Sequence, residues 1–189
     1  CIDEALSNLA CVGADVTRAS LLDNFCWGSP DSPEAMGQLV RAAQGCHDAA
    51  VGFGTPFISG KDSFYNETTD ASGEKHPVPP TLLISAIAPV PDVRKSVTMD
   101  FKNPGNPIYM IGTTGAELAA SLYEEWSGKP EYPLPDVKLK PAKAALKALS
   151  ATMQRELVLS AHNLSEGGLL VALAEMAFSG DIGVDIDLF

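Results

Sequence analysis

Apolar residues in the opening segment recur at three- and four-residue intervals. Ile2, Ala5, Leu6, Leu9 and Val12 share one helical face and Gly13 follows as a stop, so the spacing predicts a helix over 2–12. Residues 19–26 then form a short apolar run broken by Asp23 and Asn24 and closed by Trp27-Gly28-Ser29-Pro30, a strand that carries polar groups towards its end. Asp31-Ser32-Pro33-Glu34 supplies a cap, a first-turn proline and an acid suited to a helix N-terminus. That helix is expected to run to about Ala50, with a strand at 56–59 leading into Gly60-Lys61-Asp62-Ser63. Residues 66–80 have no periodicity and read as an exposed loop or hairpin tip, and 81–88 as a buried strand.

Composition shifts at Pro89-Val90-Pro91-Asp92, which marks a boundary between two domains, 1–92 and 93–189. Beyond it the pattern predicts strands at 98–101, 108–111, 157–160 and 183–188. It predicts helices at 116–126, 141–156 and 168–178, with a proline-rich link over 128–137. Helices and strands alternate, so the fold class is α/β or α+β.

Of the 189 residues 46% are apolar and 20% charged, which excludes a disordered chain. Twenty-four acids against thirteen bases give a net charge of −11, spread evenly: residues 1–95 hold twelve acids and six bases, residues 96–189 twelve and seven. No basic stripe is available for nucleic acid. The longest apolar run, 82–90, is interrupted by Ser85 and Pro89 and is far short of the roughly 20 residues that span a bilayer. Cys1, Cys11, Cys26 and Cys46 form no C-x-x-C pair and no zinc knuckle, so they read as reduced, mostly buried thiols of a cytoplasmic protein. A start on Cys and an end inside an alternating pattern read as an internal fragment.

Four groups of polar residues carry candidate chemistry. Gly60-Lys61-Asp62-Ser63 follows a strand, where a glycine admits an anion and Lys and Ser supply donors; an ordinary turn accounts for it equally well. Glu4 and Asn8, one helical turn apart, form a hard oxygen pair suited to Mg2+, although spacing alone favours a solvated face. His162-Asn163-Leu164-Ser165-Glu166-Gly167-Gly168 lies between a strand and a helix and offers an anion site at the helix N-terminus. A cap by Ser165 or Asn163 is the alternative. Asp23-Asn24, polar in an apolar strand, needs a partner, either a ligand or a neighbouring loop. His47 and His76 are isolated, Trp27 and Trp126 read as packing residues, and Lys138, Lys140, Lys143 and Lys147 as a solvated helix face.

Five segments in order, Glu-Ala-Leu-Ser-Asn, Leu-Leu-Asp-Asn-Phe-Cys-Trp-Gly, Gly-Lys-Asp-Ser, Pro-Pro-Thr-Leu-Leu-Ile-Ser-Ala and His-Asn-Leu-Ser-Glu-Gly-Gly-Leu, give the chain a recognisable likeness. It resembles, over essentially its whole length, the synthetase component of the phosphoribosylformylglycinamidine synthase family, within the aminoimidazole ribonucleotide synthetase-like superfamily. The resemblance implies that 1–92 is the C-terminal part of an N-terminal, dimerisation-type domain of the second tandem. Residues 93–189 are then the N-terminal part of its C-terminal domain. It implies an ATP-dependent carbon–nitrogen ligase of purine biosynthesis that converts formylglycinamide ribonucleotide to its amidine. ATP activates the amide oxygen, and glutamine is the amide donor through a glutaminase subunit or domain. A small accessory subunit and the remainder of the same chain are further implied partners, with no nucleic acid and no membrane. Carried onto this sequence, Asp23 and Gly60 match ATP-binding positions and Ser63 a substrate-binding one. Lys61 stands where some relatives have a magnesium-binding Asn, and as a cation it is expected to neutralise phosphate instead. Glu4, Asn8 and Asn163 match metal positions, and Ser165 a nucleotide position, of an auxiliary site holding a second nucleotide and its Mg2+. Asn163 replaces an Asp there, which predicts weaker metal binding or an empty site. The family's catalytic histidine lies outside this segment, so the piece by itself is expected to be inactive. Within the superfamily, a kinase or phosphate-transfer enzyme, such as a thiamine-monophosphate kinase or selenophosphate synthetase, is the alternative, and a non-catalytic nucleotide-holding scaffold is the third reading.

Overall fold

The first half is organised around one central strand. In the computed structural model, which describes residues 1–128 and 132–187, β1 (Ser20–Cys26) lies between β2 (Phe57–Ser63) and β5 (Thr81–Ile87). It runs parallel to β2 and antiparallel to β5. Parallel neighbours need a long crossover, and α2 (Pro33–Phe53) supplies it. Ser32 caps α2 by accepting from the Ala35 amide, and Gly54, at φ 75°, ends it in a left-handed turn three residues past the expected stop. β2 is longer than predicted, because the Gly60–Ser63 segment continues the ladder as strand instead of turning.

Alternation decides what each face of the sheet meets. Leu21 and Phe25 of β1 point to the side covered by helices and join a core with Ile2, Leu6 and Ala10 of α1 (Ile2–Cys11), and with Cys46 and Phe53 of α2. Leu82, Ile84 and Ala86 of β5 and Phe57 of β2 pack against the same cluster. On the other face Ile58, Leu83 and Ile87 are exposed.

A helix from beyond residue 92 completes this core. α4 (Leu139–Gln154) inserts Leu146 into the cluster and packs on α1 and α2. It approaches α2 closely: a Cβ on Gly52 would stand 2.6 Å from Leu139 Cδ1. Lys143 does not sit on a solvated face as expected; its Nζ donates to the Gly52 carbonyl at 3.1 Å, a cation at the C-terminal end of α2. Lys95 does the same for α4, donating to Gln154 O at 2.8 Å.

The strands expected at 98–101, 108–111 and 157–160 are not formed among the described residues. Only an isolated parallel bridge joins Thr98 to Ser160. A strand exists only as part of a ladder, and Ile108–Ile111 lie exposed, Tyr109 at 82%, without a partner strand. The described part of 183–188 is likewise not strand, and residue 188 lies outside the described residues. The helix expected at 116–126 begins only at α3 (Leu122–Ser127), where Ser121 supplies the cap. Trp126, expected to pack, is 81% exposed. Part of the proline-rich link, residues 129–131, also lies outside the described residues. α5 (Gly168–Gly180) matches its prediction and accepts Phe101 N on Met176 O at 3.2 Å.

The loop at 66–80 folds as a small hairpin of β3 (Glu67–Thr69) and β4 (Lys75–Pro77). Asp70 closes it, its Oδ1 accepting from the amides of Ser72 and Glu74 and the Ser72 hydroxyl, while Oδ2 faces His76 Nε2 at 3.1 Å. The Ser72 hydroxyl and then His76 hold the Asp70 carboxyl down at about 2, against 3.8 for a free aspartate. The folded pKa lies below the unfolded one, so the loop's stabilisation is complete above the unfolded value and is lost as pH falls through the folded one. In an NMR pH titration the Ser72 and Glu74 amide resonances should move together with a midpoint near 2; a midpoint at the free-aspartate value would contradict the bonding described.

Candidate functional site

Asp23 sits in β1 between Leu21 and Phe25, on the row that faces the helices. Such a row favours apolar side chains, and the carboxylate fits because the residue beside it in β2 is Gly60. A Cβ on Gly60 would lie 1.5 Å from Asp23 Oδ1 and 2.6 Å from its Cγ, so the carboxylate lies across the glycine itself. The anion that this glycine admits is therefore supplied by the neighbouring strand. Beneath it, on α2, burial and then the Asp23 charge push the Cys46 thiol upwards, so it stays protonated.

Lys61 and Ser63 stand on the opposite face, with Asn24 and Cys26 as their register partners in β1. Lys61 Nζ donates to Ser63 Oγ. The four residues picked out around β1 and β2 thus divide: Asp23 and Gly60 face the helices, and Lys61 and Ser63 the open side. Both pairs meet at β2's outer edge, since β2 is an edge strand of the sheet and Ile58–Asp62 are exposed. A molecule lying along that edge reaches both faces and an edge strand's unpaired backbone groups.

The end of β2 is fixed by a residue that patterning did not single out. Asn66 Nδ2 donates to Ser63 O at 2.9 Å and to Trp27 O at 3.1 Å, joining the ends of the two strands. No sequence signal marks it, because its partners are carbonyls 3 and 39 residues away.

A second candidate lies where α1 meets the 97–100 and 161–163 segments. A cleft of about 480 Å³ is lined by Asn8, Cys11, Val12, Val97–Asp100, Ala161–Asn163 and Ser179. It brings together Asn8 and Asn163, two of the three expected metal-binding residues. Glu4 shares the α1 face with Asn8 but is exposed and does not line the cleft, nor does the exposed Ser165. Asn163 Nδ2 is buried with no hydrogen-bond partner among the described residues, a donor that calls for an oxygen acceptor. His162 is held on both sides, Nδ1 2.7 Å from Asn163 O and Nε2 2.9 Å from Glu175. Lys102 and then Thr98 keep the Asp100 carboxyl below the usual range, and burial pushes the Cys11 thiol up to about 11.

The double glycine beside this cleft has a backbone reason. Gly167 and Gly168 have φ of 79° and 62°, and a Cβ on Gly167 would stand 2.2 Å from Val171 Cγ2. Gly167 is itself the N-cap of α5, and neither Ser165 nor Asn163 caps the helix with its side chain.

As for Mg2+, the fit rests on the chemistry of the donors. Asn8 and Asn163 bring neutral hard oxygens into the cleft, and the one formal charge, on Glu4, stands outside its lining, so a bound ion would depend on phosphate oxygens for charge. Lys61 is a cation and not a ligand. Asp70, Glu74 and His76 also bring ligand atoms within 4.8 Å of one another, but all three are exposed and Asp70 and His76 hold each other.

The chain matches two family models, the AIR synthase related protein N-terminal domain over residues 1–88 and the C-terminal domain over 103–188. It is 36% identical over 193 residues to phosphoribosylformylglycinamidine synthase subunit PurL of Synechocystis sp., covering 99% of this chain and 24% of the relative. It is 37% identical over 188 residues to the same subunit of Zymomonas mobilis, covering 98% and 25%. The chain thus spans about a quarter of the length of the curated relatives it matches. Among solved structures, Thermotoga maritima PurL complexed with ATP superimposes with a TM-score of 0.57 at 16% identity, covering 95% of this chain and 26% of that one. PurL of that organism complexed with FGAR gives 0.56 at 17% identity, covering 95% and 28%. At that level of identity the likeness is one of fold.

Proposed function

The chain belongs to the AIR synthase related protein family, and on that premise we propose that it supplies one wall of the synthetase site of a phosphoribosylformylglycinamidine synthase. The reaction is the ATP-dependent conversion of formylglycinamide ribonucleotide, with ammonia from glutamine, to the amidine, ADP, phosphate and glutamate. The observation that carries the reading is the Asp23 carboxylate laid across Gly60 at an exposed strand edge, in a chain more than one-third identical to such synthases.

In this reading the edge of β2 is where nucleotide and substrate meet. Asp23 and the main chain at Gly60 bind ATP, whose terminal phosphoryl group activates the substrate's amide oxygen. Lys61 neutralises phosphate charge from the open face, and its bond to Ser63 Oγ orients the hydroxyl that contacts formylglycinamide ribonucleotide. The cleft beside α1 is the auxiliary nucleotide site. Asn8 and Asn163, with Glu4, would hold Mg2+ there, which would screen the phosphates, and Ser165 would contact the nucleotide. Its low charge makes that site a weak one.

The domain reading divides the chain at residues 92 and 93, into part of an N-terminal and part of a C-terminal domain of the second tandem, with the remainder of the same protein closing the site. It is supported by the composition shift at Pro89–Asp92 and by the separate spans of the two family models. A glutaminase subunit or domain, with a small accessory subunit, would deliver ammonia. Location in the cytoplasm is supported by four free thiols. No helix among the described residues is long and apolar enough to cross a membrane.

Two measurements on the full-length protein test this. Asp23→Asn should raise KM for ATP by about tenfold or more while Ser63→Ala raises KM for formylglycinamide ribonucleotide by a similar factor; unchanged constants in both would overturn the assignment. Titration with Mg2+ and nucleotide should show tighter binding at the auxiliary site in Asn163→Asp, and no gain would count against that site's placement.

A further inference from the structure

We propose that Asn66 is a positioning residue that sets the Ser63 hydroxyl for the substrate. The inference rests on the reading of Ser63 as a substrate contact. The Ser63 carbonyl accepts two bonds, from Trp27 N at 2.9 Å and from Asn66 Nδ2 at 2.9 Å. The same Nδ2 reaches Trp27 O at 3.1 Å, and that oxygen also accepts the Asn66 amide at 3.0 Å. One side-chain NH2 group therefore bridges the last carbonyl of β2 and that of Trp27, the residue that follows β1. Only a group with two N–H donors and no charge does this from a short stem.

The main chain is bent to deliver that amide. Tyr65 has φ 56°, a left-handed conformation rare for a bulky residue, and its N–H donates to Gly28 O at 3.0 Å. Asn66 O accepts Val78 N at 2.8 Å, which ties the β3–β4 hairpin to the same point. The hairpin also closes on the turn after β1, where a Cβ on Gly28 would stand 2.7 Å from Pro77 Cβ. Ser63 is the last residue of β2, and beside the Trp27 amide it is Asn66 Nδ2 that holds its carbonyl. Its side-chain direction is therefore governed by the carbonyl that Asn66 clamps, and a small rotation of that peptide carries the hydroxyl away from Lys61 and from the substrate.

A double-mutant cycle in the full-length protein, assayed in its complex, reads this out. Asn66→Asp keeps the shape but faces two carbonyls with a carboxylate, and Asn66→Ala, which adds no charge, runs the same cycle if the aspartate prevents folding. Either should raise KM for formylglycinamide ribonucleotide by about tenfold and leave KM for ATP within about twofold. In a Ser63→Ala background the same substitution should change the substrate KM by less than about twofold. An equal effect in both backgrounds, a parallel rise in both KM values, or no change would overturn the positioning role. If Ser63→Ala alone leaves the substrate KM unchanged, the substrate assignment of Ser63 fails, and the proposal with it.

Discussion

The contact between the Asp23 carboxylate and Gly60 constrains this part of the molecule more than any other. β1 buries Leu21 completely and Phe25 almost so, yet carries an aspartate between them on the same row. Only a neighbour without a Cβ leaves space for it, and position 60 is that neighbour. Side chains alternate with a period of two, so a slip of β2 by one residue would bring Ser59 or Lys61 beside Asp23 and force the carboxylate out. Register, glycine and acid are therefore one requirement, and that requirement places an anionic group next to an exposed strand edge.

What supports this contact comes from well separated stretches of chain. α2 makes the crossover that lets β2 lie parallel to β1, and its Cys46 sits as a neutral thiol near the carboxylate. α4 arrives from the second half to fill the core with Leu146 and to hold the end of α2 through Lys143. The hairpin after β2 is pinned through Asn66 to the ends of both strands. The site's two faces are thus fixed from behind by helix packing and from the end by the Asn66 side chain with the main-chain bonds beside it, while the outer edge of β2 is left open.

The elements of the first half were legible because each carries its own local signal: the 3.6-residue stripe of α1, the Ser-Pro-Glu start of α2, and the Leu-Leu-Ile run of β5. The continuation of β2 through Gly60 was not, since a glycine followed by polar residues reads locally as a turn. Its strand identity comes from Asp23, a residue 37 positions earlier. The division of Asp23 and Gly60 from Lys61 and Ser63 follows from that register and from nothing nearby in sequence. In the second half, apolar runs such as Ile108–Ile111 have the composition of strands but no ladder to join, and composition alone does not report the partner. Asn8 was readable as a polar residue one helical turn from Glu4, and Asn163 as a polar residue just before a helix. Their meeting in one cleft, and the unpartnered Asn163 amide, belong to tertiary structure alone.

The most direct test is calorimetric titration of the full-length protein with Mg2+ and a non-hydrolysable ATP analogue, comparing wild type, Gly60→Ala, Asp23→Ala and the double variant. If the glycine serves to admit the carboxylate, Gly60→Ala weakens binding by about tenfold or more in the presence of Asp23 and adds nothing once Asp23 is alanine. Wild-type affinity in Gly60→Ala, or the same loss in both backgrounds, would contradict the account.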